Sequence, residues 1–233
     1  MARTAGFCLL ASLLLLPAHP GWAQDAKAKD ETPFFTLSGN FALVSDYRFR
    51  GVSLSDEDIA PQGGITINTA PGFFIGTWAS SIEPLNGAEA EVDLIAGYGR
   101  TIGALSVTAG VTAYLYPGGR DTNYVEPYLS LAGNLGPVSN TLTIAYAPDQ
   151  RNIGGRDNIY VVDNASLPLG AWPLALTGSL GFEDGAFGDS RLSWSLGLSG
   201  TWHGLNLSAS YVDTDQRGQA TDATVVFAIG MSF

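Results

Sequence analysis

Few side chains in this sequence are of a type and spacing that could do chemistry, and most of those are carboxylates. Asp56, Glu57 and Asp58 form the densest acidic group. Hard cations prefer carboxylate oxygens, so a calcium site or a divalent bridge to lipopolysaccharide is one reading. The spacing lacks an EF-hand pattern, and a solvated loop is the other. Nucleophilic or acid–base catalysis would need an imidazole beside the nucleophile or water. Apart from His19 near the amino end, the sequence has only His203, next to Gly204, where a tight turn is expected. No P-loop, dinucleotide fingerprint or zinc-ligand cluster is present in the sequence. No catalytic residue, cofactor or metal site is therefore expected, and an enzyme is not.

A second group of charges stands out by position. Asp46, Arg48, Arg50, Glu91, Asp93 and Glu126 all fall on the polar side of segments that alternate between apolar and polar residues, more weakly in the segment of Glu126. In a closed sheet these six would point into the lumen. They could pair to fill and stiffen the interior, or form a charged constriction that selects permeants by field and size.

The elements that must position them follow from composition and periodicity. Charged residues make up 14% of the 233 positions, against about 25% in ordinary soluble domains. Glycine (29 residues) and aromatics are abundant, which favours an all-β protein. The net charge of −11 argues against nucleic acid as a partner, because phosphate binding needs clustered Lys and Arg. Residues 1–23 read as a secretory signal peptide: Arg3, an apolar core over Gly6–Leu16, Pro17 and Pro20, then Gly21-Trp22-Ala23. That core is too short for a transmembrane helix, which needs roughly 20 residues. It also holds the sole cysteine, Cys8, so the mature chain would carry no thiol. Residues 24–33 are polar and aperiodic, and read as a disordered periplasmic segment.

From residue 34 onward the pattern has period two, as in strands with one apolar face. Phe35, Leu37, Phe41, Leu43, Tyr47 and Phe49 share one face of a first segment that runs on to Arg50. Leu94 and Tyr98, Leu105 and Val107, Leu180 and Phe182, Leu196 and Leu198, and Leu207 and Tyr211 repeat the theme. The faces of 73–80 and 158–167 stay unassigned, because Trp78 and Asp163 fit poorly. Twelve strands of about ten residues result, the length a tilted strand needs to cross a bilayer. Short links near 70–72, 101–104, 133–137, 168–173 and 202–205 alternate with longer ones near 51–61, 81–90, 116–122, 148–157, 183–190 and 213–222. This predicts a closed antiparallel transmembrane β-barrel over 34–233, with short periplasmic turns and longer extracellular loops. Aromatics should form two belts, with Phe35, Tyr98, Trp172, Trp202 and Phe233 inside and Tyr47, Phe49, Tyr146, Phe182 and Tyr211 outside. Phe227, Ile229, Met231 and Phe233 resemble the signal that barrel-assembly machinery recognises, which makes that machinery an expected partner.

With these segments laid out, the sequence resembles the TorF family of porin-like proteins. The likeness rests on Val44-Ser-Asp-Tyr-Arg-Phe-Arg-Gly-Val-Ser53 with Asp56-Glu57, and on Gly63-Gly64-Ile65. It extends through Gly72–Ala79, Glu91–Tyr98 and Tyr211–Asp215. The resemblance implies an outer-membrane location and a pore, and carries no catalytic or ligand residues. The expectation is thus a channel for passive diffusion of small hydrophilic solutes through a narrow polar lumen. Its partners would be outer-membrane lipid, lipopolysaccharide and the solutes themselves. The alternative is a closed barrel that acts as an anchor or surface-interaction protein through its acidic loops.

Overall fold

The alternation of apolar and polar residues becomes twelve paired strands in a computed structural model that describes residues 33–170 and 172–233. The expected signal peptide, and the polar segment up to residue 32, lie outside the described residues. The strands are β1 (Phe35–Val44), β4 (Ala60–Thr69), β5 (Phe73–Leu85), β6 (Ala88–Ile102), β7 (Leu105–Leu115), β8 (Tyr124–Leu135), β9 (Val138–Gln150), β10 (Arg156–Pro168), β11 (Leu174–Gly185), β12 (Gly188–Trp202), β13 (Leu205–Thr214) and β14 (Thr224–Ser232). Each pairs antiparallel with the next, and β1 closes the barrel by pairing with β14 from Asn40↔Ser232 to Val44↔Ala228. A separate two-stranded piece, β2 (Arg48–Phe49) and β3 (Val52–Ser53), lies outside this sheet order.

The pleat sorts side chains as the pattern predicts. Leu94, Leu196 and Phe227 stand outward, each at least half exposed, and Leu105 does the same. Uncovered apolar surface costs about 25 cal/mol per Å² in water, so an outer face of this kind is one that hydrocarbon must cover. Inside the wall, rings on one strand lie over glycines on the next. Phe74 faces Gly97, Tyr128 faces Gly110 and Trp78 faces Gly64 in direct register. A Cβ on Gly97 would come within 2.5 Å of the Phe74 ring, and one on Gly110 within 2.6 Å of Tyr128. The paired richness in glycine and aromatics is a packing requirement of this narrow bore.

The two unassigned strands resolve differently. Trp78 points inward and is buried. Asp163 shares the outward parity of Ile159, opposite Leu142 and Leu180, and is held there by Asn140 Nδ2 at 3.1 Å.

Turns at the rim that carries the start of β1 and the end of β14 are short, as expected. At the opposite rim two expected long links are corrected. Residues 81–90 and 183–190 are mostly strand, because β5–β6 and β11–β12 run on to two-residue turns at Asn86-Gly87 and Ala186-Phe187. Asn86 and Gly87 both have positive φ (49° and 99°), the geometry that lets a two-residue turn match strand twist.

Candidate functional site

The first segment is the main correction to the sequence reading. β1 ends at Val44, and residues 45–59 leave the wall, fold into the bore, and rejoin the sheet at Ala60 opposite Val44. Ser45 marks the exit: its amide donates to the Phe227 carbonyl and its Oγ accepts from the Phe227 amide, both at 2.9 Å. Tyr47 and Phe49 therefore do not join an outer aromatic belt. Tyr47 is buried against Trp78 with ring centroids 5.4 Å apart, and Phe49 packs edge-on against Tyr114 at 5.7 Å.

The inserted loop is a miniature hairpin. Arg48 pairs with Ser53 and Phe49 with Val52, around a turn of Arg50 (φ 53°) and Gly51 (φ 85°). Asn-Gly suits such a turn, whereas an arginine there accepts the left-handed strain of about 1–2 kcal/mol. The strain is held because the tip of the hairpin fits the wall. A Cβ on Gly51 would meet Thr214 Cγ2 at 2.4 Å. Arg48 braces the base: it pairs with Asp46 and donates to the carbonyls of Ala220 and Asp222 at 3.1 and 3.0 Å. Asp46 also accepts from Ser53 Oγ at 2.6 Å.

Arg50 lies at the centre. Its Nη1 donates to Glu183 Oε1 at 2.6 Å and its Nη2 to Glu126 Oε2 at 2.5 Å. Its guanidinium lies between the rings of Phe49 and Tyr160, at 4.6 and 4.4 Å from their centroids. Arg191 also pairs with Glu183, and Asn158 Nδ2 donates to Glu183 Oε1 at 3.0 Å. To one side, Glu91 accepts from the Tyr47 and Tyr116 hydroxyls at 2.7 and 2.8 Å. Asp46, Tyr47, Arg48, Arg50, Glu91, Asp93, Glu126 and Glu183 are each no more than 9% exposed. Burial first, and then the neighbouring charge of Glu91, hold the Tyr47 phenol well above its ordinary range, so it stays a donor. On Arg50, burial opposes the charge, but Glu126 and Glu183 outweigh it and keep the guanidinium protonated.

Below this plug, toward the rim with the start of β1 and the end of β14, lies a cavity of about 300 Å³. Its wall is rich in hydroxyls, among them Thr112, Thr143, Ser166, Thr177, Ser179 and Ser195. Several of these bond across strands, with Ser179 and Ser195 at 2.7 Å.

Sequence reasoning thus named Asp46, Arg48, Arg50, Glu91, Asp93 and Glu126, and the structure places all six inside the barrel. Three of them arrive on the inserted loop and not on a strand of the barrel wall. It missed Glu183, which fell in the expected long link 183–190, and Arg191, left between that link and the strand expected from Leu192. Extending the parity of outward Phe182 and Leu192 by one residue would have turned them inward. His203 occupies the turn at the opposite rim (φ 49°), edge-on to Trp202. Asp56 and Glu57 lie in the inserted loop's outer part, where Glu57 reaches Arg48 at 3.4 Å. Among the described residues, no group of three His, Cys, Asp or Glu side chains is placed to hold a metal ion.

Comparison with known families matches residues 27–232 to Gcw_chp, described as bacterial proteins of unknown function. The chain belongs to the Gcw_chp family. No curated protein matches it. Among solved structures, this Gcw_chp protein is similar to the KdgM porin, with a TM-score of 0.58 and 11% identity, covering 84% of this chain and 98% of that one. It is also similar to the NanC porin, with a TM-score of 0.55 and 11% identity, covering 85% and 99%. At such identities the likeness is one of fold: this Gcw_chp chain is a closed twelve-stranded antiparallel barrel of the porin type.

Proposed function

We propose that this protein is an outer-membrane channel for passive passage of small hydrophilic solutes, and that the first loop occludes it in the state described. The observation that carries this reading is the unfilled cavity beneath the plug, whose wall carries many Ser and Thr side chains among its apolar ones. A barrel needed only as a rigid anchor gains nothing from a hollow of about 300 Å³, because stability favours filling such space. The resemblance to TorF-family porins and the porin-type fold support the same reading. Lipid around the apolar belt, lipopolysaccharide at the loop rim, and barrel-assembly machinery acting on Phe227, Ile229, Met231 and Phe233 are the partners it entails. It assigns no catalytic role to His203 or to any other residue.

The filled bore at Arg50 favours a second reading, a closed barrel that acts through its loops. Planar-bilayer recording separates the two. Protein whose residues 46–58 are replaced by a short Gly-Ser linker should give discrete conductance steps, and intact protein rare or none. A folded, linker-bearing barrel that stays silent would eliminate the channel and leave the anchor.

A further inference from the structure

The loop's own arginine is seated in what has the form of a ligand site. Glu126 comes from β8, Tyr160 and Asn158 from β10, and Glu183 from β11, so the wall alone builds the site and the loop only supplies its occupant. The two carboxylates meet two edges of one planar cation, and the Tyr160 ring covers its face. That combination of carboxylates and an aromatic plate is how planar cations are recognised. The site also has unused capacity. Glu126, 2% exposed, has one oxygen, Oε1, with no hydrogen-bond partner among the described residues, as does Asp93 Oδ1 nearby.

We propose that Glu126, Glu183, Asn158 and Tyr160 form a binding site for small organic cations with a guanidinium-type head, and that Arg50 is a tethered occupant that blocks it. The ligand class rests on the channel reading for its access route, since solute reaches this level only when the loop withdraws. Withdrawal of Arg50 leaves Glu126 and Glu183 with Arg191 as the one remaining ion-pair partner among the described residues. An anion meets repulsion there, and a neutral solute leaves the desolvated Glu126 without a counter-charge while Glu183 keeps Arg191. A planar cation restores what Arg50 supplied. Divalent metal is disfavoured by the same geometry, because no three ligating side chains converge among the described residues.

The test is equilibrium binding of methylguanidinium to detergent-solubilised Arg50→Ala protein, read as a saturable rise in thermal unfolding temperature over equal sodium chloride. Arg50→Ala should respond in the millimolar range, and adding Glu183→Gln should weaken the response roughly tenfold or more. Intact protein, its site already filled, should not respond. No saturable response in folded Arg50→Ala, or an equal one in intact protein, would overturn the site. Arg50→Gln is the second variant should Arg50→Ala fail to fold. If neither folds unaided, recovery of the barrel on refolding with methylguanidinium supports the site, and no recovery overturns it. Bilayer recording of the same variants keeps the two ideas apart. Silence with a saturable shift removes the channel and keeps the site, whereas conduction without a shift does the reverse.

Discussion

Gly51 stands against Thr214 so closely that a single added carbon would lie 2.4 Å from the threonine Cγ2 and 3.0 Å from Ser193 Cβ. Thr214 is fully buried, and Gly51 has a φ of 85°. The tip of the inserted loop is therefore seated by a shape match that only glycine satisfies.

Gly51→Ala should unseat the loop without harming the barrel, since no barrel hydrogen bond involves residue 51. Limited proteolysis should cut within 46–58 in the variant and spare the intact protein, while the rest of the chain stays resistant. Thr214→Ser on that background should restore protection only in part, because the backbone strain of about 1–2 kcal/mol remains.

Glu183 holds Arg50, Arg191 and Asn158 together, so removing it strands the buried Arg191 and leaves Arg50 with Glu126 alone. Glu183→Ala should cost roughly 3–5 kcal/mol in urea unfolding. Asp189→Ala, which removes only an exposed pair with Arg156, should cost no more than about 1 kcal/mol. Equal effects from the two would mean that the buried network does not hold the loop rim.

The Tyr47 phenol gives a pH dependence with a definite sign. Its proton is held above the ordinary range when the loop is seated, and returns to a pKa of about 10 when the loop is free. The released state thus loses protons first as pH rises. Loop seating should weaken above about pH 10, followed by protease access to 46–58. Tyr47→Phe should remove this alkaline component. Weakening that instead begins on the acid side of neutrality and survives Tyr47→Phe would assign the titration elsewhere.

The Asp163–Asn140 pair sits on the outward face among leucines. An acidic group there opposes burial in hydrocarbon, by less than about 2 kcal/mol. The double substitution Asp163→Leu with Asn140→Leu should raise stability in lipid vesicles and lower solubility in mild detergent. A destabilised double variant would mark the pair as a contact that the barrel needs.

Phe233 closes the seam: its amide and carbonyl pair with those of Gly39 at 3.0 Å, and its ring occupies the space a Gly39 side chain would take. Phe233→Ala should remove about 0.2–1 kcal/mol of cross-strand packing and lower the yield of heat-modifiable, folded barrel in refolding gels. An unchanged yield would make the ring dispensable for closure.

The strand count, the closed architecture and the outward faces were legible because each depends on a residue and its near neighbours. Leu94, Leu196 and Phe227 can be placed from ten-residue windows alone. The outer turns were partly misread, since polar residues at 81–90 and 183–190 suit a loop as well as a strand that runs past the bilayer. Asn86-Gly87 was the available sign of a tight turn there.

What the sequence determined by itself was the side each strand residue takes, because the pleat fixes that choice within a few bonds. Only the tertiary structure decided that residues 45–59 turn inward and that Arg50 meets Glu183, 133 positions away. Apart from the inverted pair Val44-Ser45, alternation runs on to Arg50, so little that is local marks the departure at Ser45. The turn inward is fixed by the closed wall, where Thr214 leaves room for Gly51 and two glutamates from separate strands leave a gap the size of a guanidinium.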